Sequence, residues 1–245
     1  MTLLEIKKLT KKYRSTFALR ELNLSVQQGE IVGLIGHNGA GKTTTIKCIM
    51  GFTRPDAGEM FYKGTPVAFS QFYKEVGFLP EINQMAMNLT AREYLKYALG
   101  FNSQSTPVDD NQISSLLRKV GLENTGRKLI RTFSKGMKQC IGIAQAIAHN
   151  PQLLILDEPF TGLDPVRRDL LRSALSEQHQ KGATILFSSH NLADVQEICT
   201  SIAVIHYGIV VYQGGVQTFI KQQGAANLDQ AFLNSFRSIS EASDV

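Results

Sequence analysis

A chain of 245 residues can build one substantial domain, or one domain with a small insert. With 43% hydrophobic and 19% charged residues it reads as folded and globular, which excludes disorder except at the ends. The net charge of +5 is spread over scattered Lys and Arg with no basic block, so no nucleic-acid partner is expected.

The first elements read as strands. Residues 3–6 alternate weakly, and residues 18–26 alternate apolar and polar side chains at period two. Gly29 turns the chain into Ile31-Val32-Gly33-Leu34-Ile35, a continuous apolar run of the kind buried on both faces of a parallel sheet. Residues 43–50 read as a helix with Gly51 as its C-terminal cap. Residues 59–62 and 76–79 are short strand candidates. After Pro80 the character turns helical. Thr90 to Glu93 has the form of a capping box, with Leu89 and Tyr94 placed as its hydrophobic staple. Ile113, Leu116, Leu117 and Val120 fall at helical spacing, and Gly121 closes that helix. A polar loop is predicted over residues 102–111 and a further helix over about 134–149.

Strands then return at residues 153–156 and 184–187. Asp164-Pro165 is an N-cap followed by proline at the first helical position. Residues 202–206 and 209–212 suit a hairpin across Tyr207-Gly208, and residues 228–233 a short amphipathic tail helix that packs on its own domain. The pattern is an α/β core interrupted by a helical segment of about residues 81–150. Cys48, Cys140 and Cys199 are far apart and show no metal-binding spacing, so reduced thiols are expected. Residues 1–14 are polar, unlike a secretory signal, and no stretch reaches the roughly 18 apolar residues of a membrane span. Membrane service would therefore be peripheral, through a partner.

The chemistry begins at Gly36-His37-Asn38-Gly39-Ala40-Gly41-Lys42-Thr43, which matches the P-loop pattern between a buried strand and a helix. Glycines let successive backbone N–H groups face one anion, and the helix start adds its positive end. Lys42 would reach the β- and γ-phosphates and the Thr43 hydroxyl would hold Mg²⁺. Asp157 closes an apolar strand, as a magnesium-side carboxylate should. Glu158 beside it is a candidate general base for attacking water. His190 ends the next buried strand, where open α/β sheets bind ligands, and could donate to the γ-phosphate.

In order along the chain, these motifs resemble the ATP-binding-cassette (ABC) family, as far as about Gly215. Tyr13 stands where that family stacks an aromatic on adenine. GHNGAGKTT, which includes Thr44, is its P-loop. Ser134-Lys135-Gly136-Met137-Lys138-Gln139 stands at its signature, and Leu153 to Pro159 at its magnesium and base strand. Gly162-Leu163-Asp164 resembles the loop that crosses the dimer, and Ser189-His190 the switch histidine. The resemblance implies a P-loop NTPase (RecA-like) core with an antiparallel β subdomain and an inserted helical subdomain. The core covers about residues 1–80 and 151–215, the insert 81–150 and the tail 216–245. It also implies two cassettes facing head to tail. Ser134 and Gly136 of one would touch the γ-phosphate held by the other, and integral membrane permease subunits would be driven from the cytoplasmic face of the cell membrane.

Two departures mark this chain. Lys135 and Met137 replace the usual glycine and glutamine of the signature. Glu81 replaces the glutamine that serves as a Mg²⁺ ligand and hinge, and its charge should tighten Mg²⁺ while weakening γ-phosphate contact. Both resemble export cassettes. The alternatives are an importer cassette or a soluble ABC ATPase. Against the latter, residues 44–133 leave too short a gap between P-loop and signature for a DNA-repair coiled coil.

Overall fold

The structure, a computed structural model, describes residues 1–102 and 109–243, with side chains excluded at 101, 102 and 237–243. In chain order the elements are β1 (Thr2–Tyr13), β2 (Thr16–Gln27), β3 (Ile31–Ile35), α1 (Lys42–Ile49), β4 (Ala57–Tyr62), β5 (Thr65–Pro66), α2 (Phe69–Glu75) and β6 (Val76–Leu79). They continue with α3 (Ala91–Asn102), α4 (Asp110–Lys119), α5 (Lys135–Ile147), β7 (Leu153–Asp157), α6 (Pro165–Gln180), β8 (Thr184–Ser189), α7 (Leu192–Ile198), β9 (Ser201–His206), β10 (Ile209–Gly215), α8 (Val216–Gln222) and α9 (Leu228–Ser243). The chain forms two compact units, Met1–Pro66 with Ser188–Val245, and Val67–Phe187.

The first unit holds an antiparallel sheet in the order β2-β1-β4-β5 and a run β10-β9-β3. In β1 and β2 the buried residues Leu4, Ile6, Leu9, Leu19, Leu22, Leu24 and Val26 form the packed face. The alternation slips at Lys8 and Glu21, both in the left-handed region (φ 49° and 47°), where the ladder shifts register as a bulge does. β3 is buried along its whole length and pairs in parallel with β9. Full burial of Leu34 and Ile35 contributes on the order of 1.5–3 kcal/mol each. The predicted hairpin joins β9 to β10. Its turn residues Tyr207 (φ 43°) and Gly208 (φ 81°) are both left-handed, as a type I′ turn requires.

The tail helix α9 is much longer than the six residues the sequence marks. Leu228 and Ala231 are fully buried, and Phe232 and Phe236 continue the four-residue spacing with ring centroids 4.5 Å apart. It packs on its own unit, as expected.

In the second unit β6 pairs in parallel with β7, and β8 lies on the other side of β7. Gly77 in β6 is required by close approach, since a Cβ there would meet the Ala146 carbonyl oxygen at 2.0 Å. The capping box is present in full. Glu93 N donates to Thr90 Oγ1 (3.2 Å), and Thr90 N (2.8 Å) and Thr90 Oγ1 (2.8 Å) donate to Glu93 Oε2, which holds the Glu93 carboxyl below its usual range. Asp164 caps α6 by accepting from Arg167 N (2.9 Å), with Pro165 at the first helical position. Helices α3, α4 and α5 lie within residues 81–150, with a 3-10 turn at Ile130–Thr132 between α4 and α5. The loop predicted over 102–111 falls largely outside the described residues, and at its borders Asn102 and Asp110 already belong to α3 and α4. The short elements β5, α2, α7 and α8 carry no clear sequence signal of their own.

All three cysteines are free. Burial pushes Cys48 and Cys140 up to about 11 and Cys199 well above the ordinary thiol value, so none is primed as a nucleophile. Among the described residues, no helix is long and apolar enough to cross a membrane.

Candidate nucleotide site

The loop of residues 36–43 leaves β3 and enters α1. Gly36 is the tightest point. A Cβ there would lie 2.5 Å from the Ile205 carbonyl oxygen and 3.0 Å from Ala40 Cβ. Gly39 (φ 80°) and Gly41 (φ 117°) take left-handed backbone, which lets the loop curl. Ala40 N donates to His37 O (3.1 Å), and Gly208 N donates to Ala40 O (2.8 Å), tying the loop to the β9–β10 turn. Lys42, only 7% exposed, donates from Nζ to Gly36 O (2.8 Å) and His37 O (3.2 Å). Its ammonium is thereby held against the curl of the loop. Thr45 Oγ1 donates to Gly41 O (2.9 Å) and closes the first turn of α1. Asn38 and Gly39 are exposed, and Thr43 and Thr44 are half-buried at the helix start.

An aromatic cluster backs this loop. The His37 ring lies 5.0 Å from Tyr207, 5.4 Å from His206 and 6.0 Å from Phe236 of α9. Burial, and then the neighbouring His37, keep His206 below the usual imidazole range. No local sequence signal joins residues 37, 206 and 236. Tyr13 ends β1 half-exposed, with Lys11 Nζ 5.5 Å from its ring centroid. His190 is exposed in the same unit, in a turn where Asn191 N donates to Ser189 Oγ (3.0 Å).

The second unit carries the acidic and signature motifs. Asp157 ends β7 and is 2% exposed. Glu158 follows in a left-handed conformation (φ 52°), which a non-glycine residue adopts only when its surroundings hold it there. Thr161 N donates to Glu158 O (3.2 Å) and Thr161 Oγ1 to Glu158 Oε2 (3.4 Å). Gln139, 6% exposed, donates to Glu158 O (3.3 Å) and Pro159 O (3.1 Å). Gln139 stands within the signature stretch, and nothing in the sequence alone assigns it a role.

Ser134 is the N-cap of α5, and its Oγ accepts from Met137 N (3.2 Å). Gly136 is buried against the loop before α6, where a Cβ would meet Gly162 O at 2.7 Å. The aliphatic stem of Lys135 covers Gly162. Glu81, just past β6, is exposed. Asp164 sits below the usual carboxylate range because it accepts the Arg167 backbone N–H and pairs with its guanidinium. Among the described residues, no cluster of three His, Cys, Asp or Glu is arranged as a metal site.

A buried strand, a glycine curl and a lysine folded onto it define a nucleotide-binding protein of the P-loop class. The family profile described as ABC transporter matches residues 19–161. The bacitracin transport ATP-binding protein BcrA of Bacillus licheniformis is 37% identical over 84% of this chain and 68% of its own. The Nod factor export ATP-binding protein I of Cupriavidus pinatubonensis is 33% identical over 90% of this chain and 69% of its own. A methionine import ATP-binding protein of Protochlamydia amoebophila stands at 35%, over 91% of this chain and 70% of its own. A solved ATP-binding subunit of an ABC transporter superposes with a TM-score of 0.86 at 36% identity, covering 94% of this chain and 98% of that one. This chain belongs to the ABC transporter family and has the fold of its ATP-binding subunits. It spans 67%, 61% and 68% of the length of three of the curated relatives it matches.

Proposed function

We propose that this chain binds ATP with Mg²⁺, hydrolyses it, and energises export through separate integral membrane permease subunits, lying peripherally on the cytoplasmic face of the membrane. The observation that carries the reading is the loop itself, with Lys42 buried against the carbonyls of Gly36 and His37. Lys42 would engage the β- and γ-phosphates, backbone N–H groups of residues 37–44 would cradle them, and Tyr13 would stack on adenine.

Thr43, Asp157 and Glu81 would contribute a hydroxyl and two carboxylates, oxygen donors of the kind a hard cation takes. Magnesium, when bound, neutralises charge on the phosphates. Glu158 would take a proton as water oxygen bonds to the γ-phosphorus and the bond to the bridging oxygen breaks, leaving ADP and phosphate. His190 would donate to the γ-phosphate. Ser134 and Gly136 would complete the site of a second cassette, identical or paired, and the helices of about residues 81–150 would carry the motion to the permease.

The export direction draws on the Lys135, Met137 and Glu81 departures and on the Nod factor export relative. The methionine import relative supports the importer alternative.

Two measurements test the reading. Lys42→Ala should lose nucleotide affinity in equilibrium binding. Affinity purification of the intact protein from a detergent extract should recover an integral membrane partner that changes its ATPase rate. Unchanged ATP affinity would remove Lys42 from the site. Recovery of ribosomes or a soluble complex alone would overturn the transport reading.

A further inference from the structure

The signature helix α5 carries a buried amide that no motif assignment uses. Gln139 Nε2 has two N–H donors, and two acceptors lie within reach, the carbonyl oxygens of Glu158 (3.3 Å) and Pro159 (3.1 Å). Its Oε1 accepts from Asn83 Nδ2 at 3.1 Å. The amide is therefore oriented by three partners. Turning it over would set its oxygen against two carbonyl oxygens and its N–H groups against a donor.

Each partner sits at a sensitive place. Glu158 holds a left-handed backbone (φ 52°), a conformation that persists only under outside constraint. Gln139 bonds the carbonyl of that very residue and of the next one. Asn83 lies two residues beyond Glu81, in the segment that leaves β6. One turn further along α5, Gly142 has no side chain, and a Cβ there would lie 2.8 Å from Asn83 Nδ2 and 2.6 Å from Leu79 Cδ1. The helix thus meets Asn83 at two successive turns, through a hydrogen bond and through bare backbone. Gln139 is 6% exposed, so water cannot easily replace its bonds.

We propose that Gln139 is a positioning residue for hydrolysis. It fixes the strained backbone that aims the Glu158 carboxylate, and Asn83 sets the orientation of its amide. A shift of the segment after Glu81 then reaches the base through two side chains, from Asn83 to Gln139 to Glu158, without touching the nucleotide. The inference rests on the reading of Glu158 as the base.

The test uses the full chain with Mg²⁺ and ATP, measuring kcat, KM and nucleotide affinity for Gln139→Met, Gln139→Glu, Asn83→Ala and the Gln139→Met/Asn83→Ala pair. Met keeps the length and removes the donors. Glu keeps the shape but presents a carboxylate to two carbonyls. Because misplacing a reacting group by about 1 Å costs up to about a hundredfold, both Gln139 variants should lose about tenfold or more in kcat. ATP affinity and KM should stay within about threefold, since no bond to the loop of residues 36–43 is touched. Asn83→Ala should lose less, and adding it to Gln139→Met should cost nothing more, as expected for members of one network.

A kcat for Gln139→Met within about twofold of the parent, or losses that multiply in the pair, would overturn the proposal. So would a loss of ATP affinity matching the loss of kcat, the mark of a merely structural role. If Gln139→Met does not fold, Asn83→Ala with half-buried Asn83 decides alone. In that variant kcat must fall while affinity holds. Glu158→Gln separates the two levels. If it turns over normally, the base assignment itself fails. If it is inactive while Gln139→Met is normal, only the positioning role fails.

Discussion

Gly36 offers a sharp test of how tightly the loop is built. A Cβ at this position would lie 2.5 Å from the Ile205 carbonyl oxygen, where ordinary contact begins near 3.4 Å. Gly36→Ala therefore asks the loop or β9 to move by nearly 1 Å, and Ile205 is buried strand backbone with little room to yield. Overpacking of this kind costs about 1–3 kcal/mol. At about 2–4 °C per kcal/mol for a chain of this size, Tm should fall by about 2–12 °C. The larger effect should be functional, because a displacement near 1 Å in a positioning loop costs up to about a hundredfold. Gly39→Ala is the control. Nothing lies within 4 Å of its added Cβ, so only the left-handed φ of 80° is penalised, at about 1–2 kcal/mol. The assay is equilibrium ATP binding beside thermal unfolding for both variants. Gly36→Ala should lose far more affinity than Gly39→Ala at a comparable Tm. If Gly36→Ala binds ATP as well as the parent, the loop is not held by Ile205 and the reasoning is refuted.

Two further outcomes are expected. Glu81→Gln should shift the magnesium dependence of turnover to higher concentration, read from a Mg²⁺ titration of ATPase rate, and an unchanged titration would remove Glu81 from the metal. Half-buried His149 and His206 both sit below the ordinary imidazole value of 6.5, so the folded state binds fewer protons than the unfolded one. Stability should be fully present above that value and fall as pH drops below it. Thermal scans between about pH 7.5 and 5.5 should show this, with a smaller loss in His206→Gln.

Features that depend on near neighbours were the legible ones. The Thr90 to Glu93 box, the Asp164-Pro165 cap, the Tyr207-Gly208 turn and the loop of residues 36–43 all follow from side-chain chemistry within a few residues. What could not be read depends on residues far apart in the chain. The glycine at position 36 is visible in the sequence, but its reason is a carbonyl at position 205. The bulges at Lys8 and Glu21 look like ordinary strand residues, because register is set by partners across the ladder. The cluster of His37, His206, Tyr207 and Phe236 exists only once α9 packs. Gln139 stands in plain view within the signature, yet its two carbonyl partners lie 19 and 20 residues away, and nothing local marks them.

The central claim is that Glu158 activates water at a site shared by two cassettes, and Glu158→Gln tests it most directly. With Mg²⁺ and ATP, this variant should bind nucleotide normally, show no steady-state phosphate release, and run as an ATP-dependent dimer by light scattering. Phosphate release at the parental rate, or a chain that stays monomeric with ATP bound, would contradict the account.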